Sequence, residues 1–177
     1  MATTQIMIAG FGGQGVLFAG KFLAYKGMVQ DKQISWLPSY GPEMRGGTAN
    51  CSVVISDTPV GSPIITSPDM LIAMNLPSLQ KFVDAVVPGG VIILDSTLID
   101  AKVERTDVKV FYIPATQMAK DAGFSTLANM ILTGKALKEM DIVSWEGNKE
   151  TLESFIPAKK ANLIDMNLKA LQTGYDY

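Results

Sequence analysis

The chain has 177 residues, 47% of them hydrophobic and 18% charged, with a net charge of −2. That length suits one domain, and the charge balance offers no basic footprint for nucleic acid. His is absent and Cys51 is the only Cys, which excludes imidazole catalysis, His metal ligation, an internal disulfide and a four-thiolate iron–sulfur cluster held by this chain alone.

Gln5 to Ala9 reads as a short apolar strand that enters a glycine loop. Val16, Ala19, Gly20, Leu23 and Gly27 follow at helical spacing, a small-residue face that lets a helix lie close on a sheet. Gln33 to Leu37 has strand content, and Pro38 to Gly47 is a loop rich in Pro and Gly. Ala49 to Ile55 is the next strand and carries Cys51 as a buried structural thiol. Asp57-Thr58-Pro59 signals a turn, after which Val60 to Thr66 is expected to return as a hairpin.

Met70 to Met74 is apolar throughout, the pattern of a strand covered on both faces. Leu76 to Val86 predicts a helix stopped by Pro88-Gly89-Gly90. Strands are expected over Val91 to Leu94, closed by Asp95-Ser96-Thr97, and more weakly over Val108 to Ile113. Helices follow over Ala115 to Asp121 and Leu127 to Met140, then from an N-cap at Asn148 to near Pro157. The last helix sets Ala161, Ile164, Leu168 and Leu171 on one face, with Gly174 as its stop. The alternation predicts an α/β layered fold with a largely parallel sheet, made mixed by the hairpin. No repeat or low-complexity linker divides the chain, so residues 1–177 are expected to form a single domain.

The ten Met and the low charged fraction suit either a Met-rich core or a surface buried against partners. No apolar run approaches the roughly 18 residues of a membrane span, and no basic stretch precedes the first strand as in a signal peptide. A cytoplasmic, membrane-free protein is expected.

Gly10-Phe11-Gly12-Gly13-Gln14-Gly15 satisfies G-x-G-x-x-G between a strand and a helix. Gly12, Gly13, Gln14 and Gly15 are the candidate contacts for an anionic group or a partner, since glycines admit close backbone approach and a helix N-terminus offers free N–H donors. A dinucleotide site also needs an acid at the end of the second strand, but that strand ends in Ser35-Trp36-Leu37 and Asp31 precedes it. The loop therefore leaves three readings open: dinucleotide binding, a packing turn, and contact with another nucleotide-like group such as coenzyme A.

A second segment, Ser39-Tyr40-Gly41-Pro42-Glu43-Met44-Arg45-Gly46-Gly47-Thr48, sets an opposite-charge pair among backbone-permissive residues. With the glycine loop, Ile55-Ser56-Asp57, Ser62-Pro63-Ile64-Ile65, Pro88-Gly89-Gly90 and Asn129-Met130, it resembles the gamma subunit of 2-oxoacid:ferredoxin oxidoreductases. The blocks occur in that family's order from residue 5 to about 140. One departure is Val54, where the family often has Arg.

The resemblance implies the fold of the gamma domain of pyruvate:ferredoxin oxidoreductase. It also implies one subunit of an enzyme that turns a 2-oxoacid, CoA and oxidised ferredoxin into acyl-CoA, carbon dioxide and reduced ferredoxin. Implied partners are alpha and beta subunits, the beta subunit binding thiamine diphosphate, a ferredoxin-like delta subunit or domain, and ferredoxin itself. Thiamine diphosphate, Mg, iron–sulfur clusters and CoA are then cofactors of the complex and none is held by this chain alone. No residue of this chain is expected to be catalytic. Tyr40, Glu43, Arg45, Gly46 and Gly47 are the expected interface residues, Tyr40 as an anchor and Glu43 and Arg45 either bonding across it or bracing the loop internally. A free-standing Rossmann-type oxidoreductase and a non-catalytic CoA-binding module are the alternatives. Among 2-oxoacids, 2-oxoglutarate and branched-chain substrates are favoured slightly over pyruvate.

Overall fold

The computed structural model describes residues 1–39 and 48–177. Its centre is a six-stranded sheet of β1 (Thr3–Phe11), β2 (Gln33–Ser39), β3 (Thr48–Ser56), β4 (Met70–Ala73), β5 (Val91–Asp95) and β6 (Lys109–Ile113), in the order β2-β3-β1-β4-β5-β6. β1, β4, β5 and β6 run parallel, and β3 lies antiparallel to both β1 and β2. The sheet is mixed, as expected, but for a different reason. Val60 to Thr66 forms no strand; Pro59 and Pro63 remove backbone donors that a returning ladder would need. The antiparallel partner of β3 is β2 instead, joined in register from Gln33↔Ser56 to Ser39↔Asn50.

Among the described residues six α-helices pack around the sheet: α1 (Val16–Val29), α2 (Leu76–Phe82), α3 (Ala115–Asp121), α4 (Ala128–Glu139), α5 (Asn148–Glu153) and α6 (Ala161–Asp176). Residue alternation along β1 sends Ile6 and Ile8 into one apolar cluster, shared with helices α1, α4 and α6, and Met7 into a second on the opposite face. Val54, the departure from the family's Arg, is buried in that second cluster with Met7 and Ile65. β4 is buried at every position, which explains its unbroken apolar run. Met7, Met70, Met74, Met130 and Met140 are buried, so much of the Met content is core.

The small face of α1 does lie close on the sheet. A Cβ on Gly20 would strike the Cys51 sulfur, and one on Gly27 would sit 2.7 Å from Ile34 Cγ2. Cys51 is fully buried, its Sγ donates to the Val16 carbonyl at 3.6 Å, and burial pushes the thiol up to about 12. Such a thiol is inert as a nucleophile or ligand at neutral pH. At the start of α2 the Asn75 side chain accepts from Ser78 N at 2.8 Å, an N-cap beside Pro77.

Two sequence expectations about helix ends are corrected. Gly147, at φ 82, is the N-cap of α5, and Asn148 is the first helical residue, with its side-chain amide buried and unpartnered among the described residues. Gly174 is not a stop: it lies inside α6, where its missing Cβ admits the backbone of α4. Gly134 of α4 makes the reciprocal approach to the Leu171 carbonyl. Both glycines are there for proximity.

The far end of α1 is tied to the turn before α5. Lys26, fully buried, donates from Nζ to the carbonyls of Trp145 and Glu146. Gln30 gives Nε2 to Ser144 O at 3.2 Å and to Glu146 O at 3.0 Å, and its Oε1 accepts from Ser144 N at 2.8 Å. No helix among the described residues is long and apolar enough to cross a membrane.

Candidate functional site

The glycine loop leaves β1 at its C-terminal end and turns into α1 through Gly13 (φ 92) and Gly15 (φ 78), conformations that only glycine takes without strain. Gln14 fixes the turn. Its Oε1 accepts from Phe11 N at 2.6 Å, and its Nε2 donates to Met74 O at 3.1 Å, tying the loop to the end of β4. A Cβ on Gly10 would lie 2.7 Å from that same Oε1 and 2.9 Å from Met74 Cβ, so the brace requires glycine there. Gly15 is pinned from the other side: Asn129, at the start of α4, donates Nδ2 to the Gly15 carbonyl at 3.0 Å.

The four sequence candidates are thus contiguous in space, with Gly12 and Gly13 exposed and the Gln14 amide engaged within the chain. What faces outward is backbone, beside a hollow of about 270 Å³ lined by Phe11 to Gly13, Gly15 to Phe18 and Ala49. The first N–H groups of α1 lack intrahelical acceptors and its first turn has no acidic residue, an arrangement suited to an anion or to a partner's carbonyls. Replacing Gln14 with Ala removes both side-chain bonds of the brace. A loss of about 1–2 kcal/mol is expected, read as a lower urea midpoint at unchanged slope.

Tyr40, Glu43, Arg45, Gly46 and Gly47 lie outside the described residues. Their anchors are described: Ser39 ends β2, and Thr48 pairs with Phe11 at the mouth of the glycine loop. Along the same C-terminal edge of the sheet, Phe11, Leu37, Leu76 and Leu98 are each 36% exposed or more. Apolar side chains in a row at one sheet edge are a feature of surfaces that partners cover.

A dinucleotide site is not built here. The acid that would hold a ribose is missing from the tip of β2, and Asp31 sits exposed at its entrance. The topology adds a stronger objection: β3 lies between β1 and β2, so the strand that should flank the glycine loop is one place too far away.

Two groups at the strand ends and in the core are committed to structure. Asp95, at the end of β5, is fully buried and accepts from Thr97 N at 3.1 Å and Thr116 Oγ1 at 2.5 Å, a brace between β5 and α3. Among the described residues no cluster of His, Cys, Asp or Glu has a metal-binding arrangement. With Cys51 as its one thiol, buried, the chain does not fit an iron–sulfur cluster. Among the loop's neighbours, sequence reasoning quoted Asn129 only as part of an ordered block; its brace on the loop needed the contact with Gly15.

A family model described as pyruvate ferredoxin/flavodoxin oxidoreductase matches residues 5–177. The chain is 41% identical over 174 residues to ketoisovalerate oxidoreductase subunit VorA of Methanothermobacter thermautotrophicus, covering 98% of this chain but only 36% of that relative's length. It is 33% identical to 2-oxoglutarate synthase subunit KorC of Methanocaldococcus jannaschii, covering 97% of this chain and 92% of the relative. The keto/oxoacid ferredoxin oxidoreductase gamma subunit of Geobacter sulfurreducens superposes with a TM-score of 0.83 at 30% identity, over 98% of this chain and 96% of that one.

Proposed function

Because the chain belongs to the pyruvate ferredoxin/flavodoxin oxidoreductase family, we propose that it is the gamma subunit of a 2-oxoacid:ferredoxin oxidoreductase. In this reading residues 1–177 form one cytoplasmic gamma domain with no catalytic residue of its own. The whole complex decarboxylates a 2-oxoacid, passes electrons to ferredoxin and forms acyl-CoA. Thiamine diphosphate and Mg belong to the beta subunit, and iron–sulfur clusters to a ferredoxin-like delta subunit or domain. The observation that carries the reading is agreement over nearly the whole chain with small subunits named for 2-oxoacid oxidoreductases.

The chain's own residues then bind and shape. The backbone of Gly12, Gly13 and Gly15 contacts either CoA or a neighbouring subunit, with Gln14 and Asn129 holding the loop in position. Tyr40, Glu43, Arg45, Gly46 and Gly47 are the interface residues of this reading, and exposed Phe11, Leu37, Leu76 and Leu98 add apolar surface along the sheet's C-terminal edge. The preference for 2-oxoglutarate or a branched-chain 2-oxoacid agrees with the names of the relatives and belongs to the same proposal.

Affinity purification of the tagged chain from its native extract is expected to recover a thiamine diphosphate protein and an iron–sulfur protein in fixed ratio. Glu43→Ala with Arg45→Ala is expected to lower that recovery by about tenfold, as for loss of a buried charged contact. A chain that elutes alone as a monomer from the extract overturns the assignment.

A further inference from the structure

On the sheet's second face, between α2 and the chain that leads into β6, lies a groove of about 440 Å³. Leu76, Leu79 and Val83 form one wall, and residues 101–105 form the other. Those five alternate: Ala101, Val103 and Arg105 are half-buried, while Lys102 and Glu104 are exposed. Such alternation is the pattern of a strand.

Yet no strand pairs with this segment. Among the described residues, none from Ala101 to Thr106 gives or takes a backbone–backbone hydrogen bond. Side chains hold the segment in place instead. Tyr112 Oη accepts from Val103 N at 2.9 Å. Arg105 Nη1 donates to Val83 O at 2.8 Å and to Val86 O at 2.7 Å, while its Nε and Nη2 engage Asp107. The main chain is thus fixed in an extended course with its own hydrogen-bonding groups left over.

The direction of those groups follows from the alternation. Successive N–H groups of an extended chain point to opposite sides. Val103 N–H is turned towards Tyr112 on β6, the outermost strand. Lys102 and Glu104 therefore turn theirs the other way, towards α2 and the groove. The rim sets Asp84 and Glu104 against Lys102, with Arg105 already engaged, so it selects no charge class. What is left over is main chain, and a row of main-chain groups is best satisfied by another main chain. Leu76, on the groove wall, also belongs to the apolar surface along the sheet's C-terminal edge, so the groove is continuous with the interface proposed above.

We propose that this groove receives an extended segment of a partner subunit, laid between α2 and residues 101–105 as an added strand. Its main chain pairs with Lys102 and Glu104, and aliphatic side chains at every second position meet Leu76, Leu79 and Val83. The inference rests on the gamma-subunit reading, which supplies the partner.

Amide hydrogen exchange of the full chain, free and in the complex purified from its native extract, tests this. In the free chain the Lys102 and Glu104 amides are expected to exchange about as fast as those of an unstructured peptide, and at least about tenfold more slowly in the complex. Glu104→Pro deletes an N–H that nothing among the described residues uses, and is expected to lower recovery of the thiamine diphosphate protein about tenfold. Glu104→Ala keeps that N–H and should recover clearly more than the Pro variant, both at the parent's thermal midpoint. Lys102→Pro replaces Glu104→Pro should the latter fail to fold. An intact complex in which both amides still exchange freely, or equal recovery with Pro and Ala, overturns this proposal while the gamma-subunit reading stands. A chain that elutes alone overturns both. Protection that grows as the free chain is concentrated makes a second copy the occupant and likewise overturns it.

Discussion

Gly134→Ala is expected to lower stability by about 3 kcal/mol or more, and Gly174→Ala by a similar amount. A methyl on Gly134 would fall inside the van der Waals shell of the Leu171 carbonyl, and one on Gly174 inside that of Ile131. The atoms struck are helical backbone, which has no rotamer to escape into. Relief therefore requires α4 and α6 to separate, opening the packing of Met130, Ile131, Leu137, Ile164 and Leu171, all buried. One separation accommodates both methyls, so the double variant should lose clearly less than the sum of the singles. Gly61, whose Cβ would meet nothing within 4 Å, supplies the control: Gly61→Ala should stay within about 0.5 kcal/mol of the parent. Urea titration of the parent and the four variants decides it, and a Gly134→Ala chain as stable as the parent rules out the close helix approach.

Alkaline pH is expected to strengthen the fold through Lys26. Burial lowers its pKa from 10.5 to about 8, with Glu146 and then Glu150 opposing the shift. Below pH 8 folded and unfolded chains both hold the proton, and the folded state carries the full penalty of a buried ammonium. Between 8 and 10.5 the unfolded chain keeps a proton that the folded chain has released, so stability rises with pH, by at most about 3 kcal/mol for this group. The neutral amine still has hydrogens for the Trp145 and Glu146 carbonyls, so the tie survives deprotonation. Lys26→Met removes the effect. The parent-minus-variant difference in unfolding free energy should move in the parent's favour as pH climbs through that window. A flat difference would sink the argument.

Much of the layered architecture was legible because local patterns were unambiguous. The apolar run Met70 to Met74 and the span Ala115 to Asp121 were read almost to the residue, and the small face of α1 foretold its closeness to the sheet. The errors arose where one residue type serves two purposes. Gly174 looked like a helix stop because glycine ends helices, yet here it admits a neighbour's carbonyl. Asn148 looked like a cap, but Gly147 in the left-handed region does that job. The supposed hairpin failed because Pro59 and Pro63 deny Val60 to Thr66 the donors of a ladder, and β2 pairs with β3 instead. At the site, the glycine loop was legible as a loop. The Asn129 contact was not, because it joins residues 114 apart in sequence.

The two hydrogen bonds of the Gln14 side chain also bear on how fast and how tightly the loop can engage. A glycine-rich turn left to itself samples many backbone conformations and must surrender that freedom on contact, which slows capture and weakens it. Here the freedom is surrendered during folding, to Phe11 N and Met74 O, before anything arrives. Docking on this loop should resemble a key meeting a cut lock, with little rearrangement and little lost entropy at the moment of association. If the loop is the contact proposed above, the brace moves the ordering cost from assembly to folding.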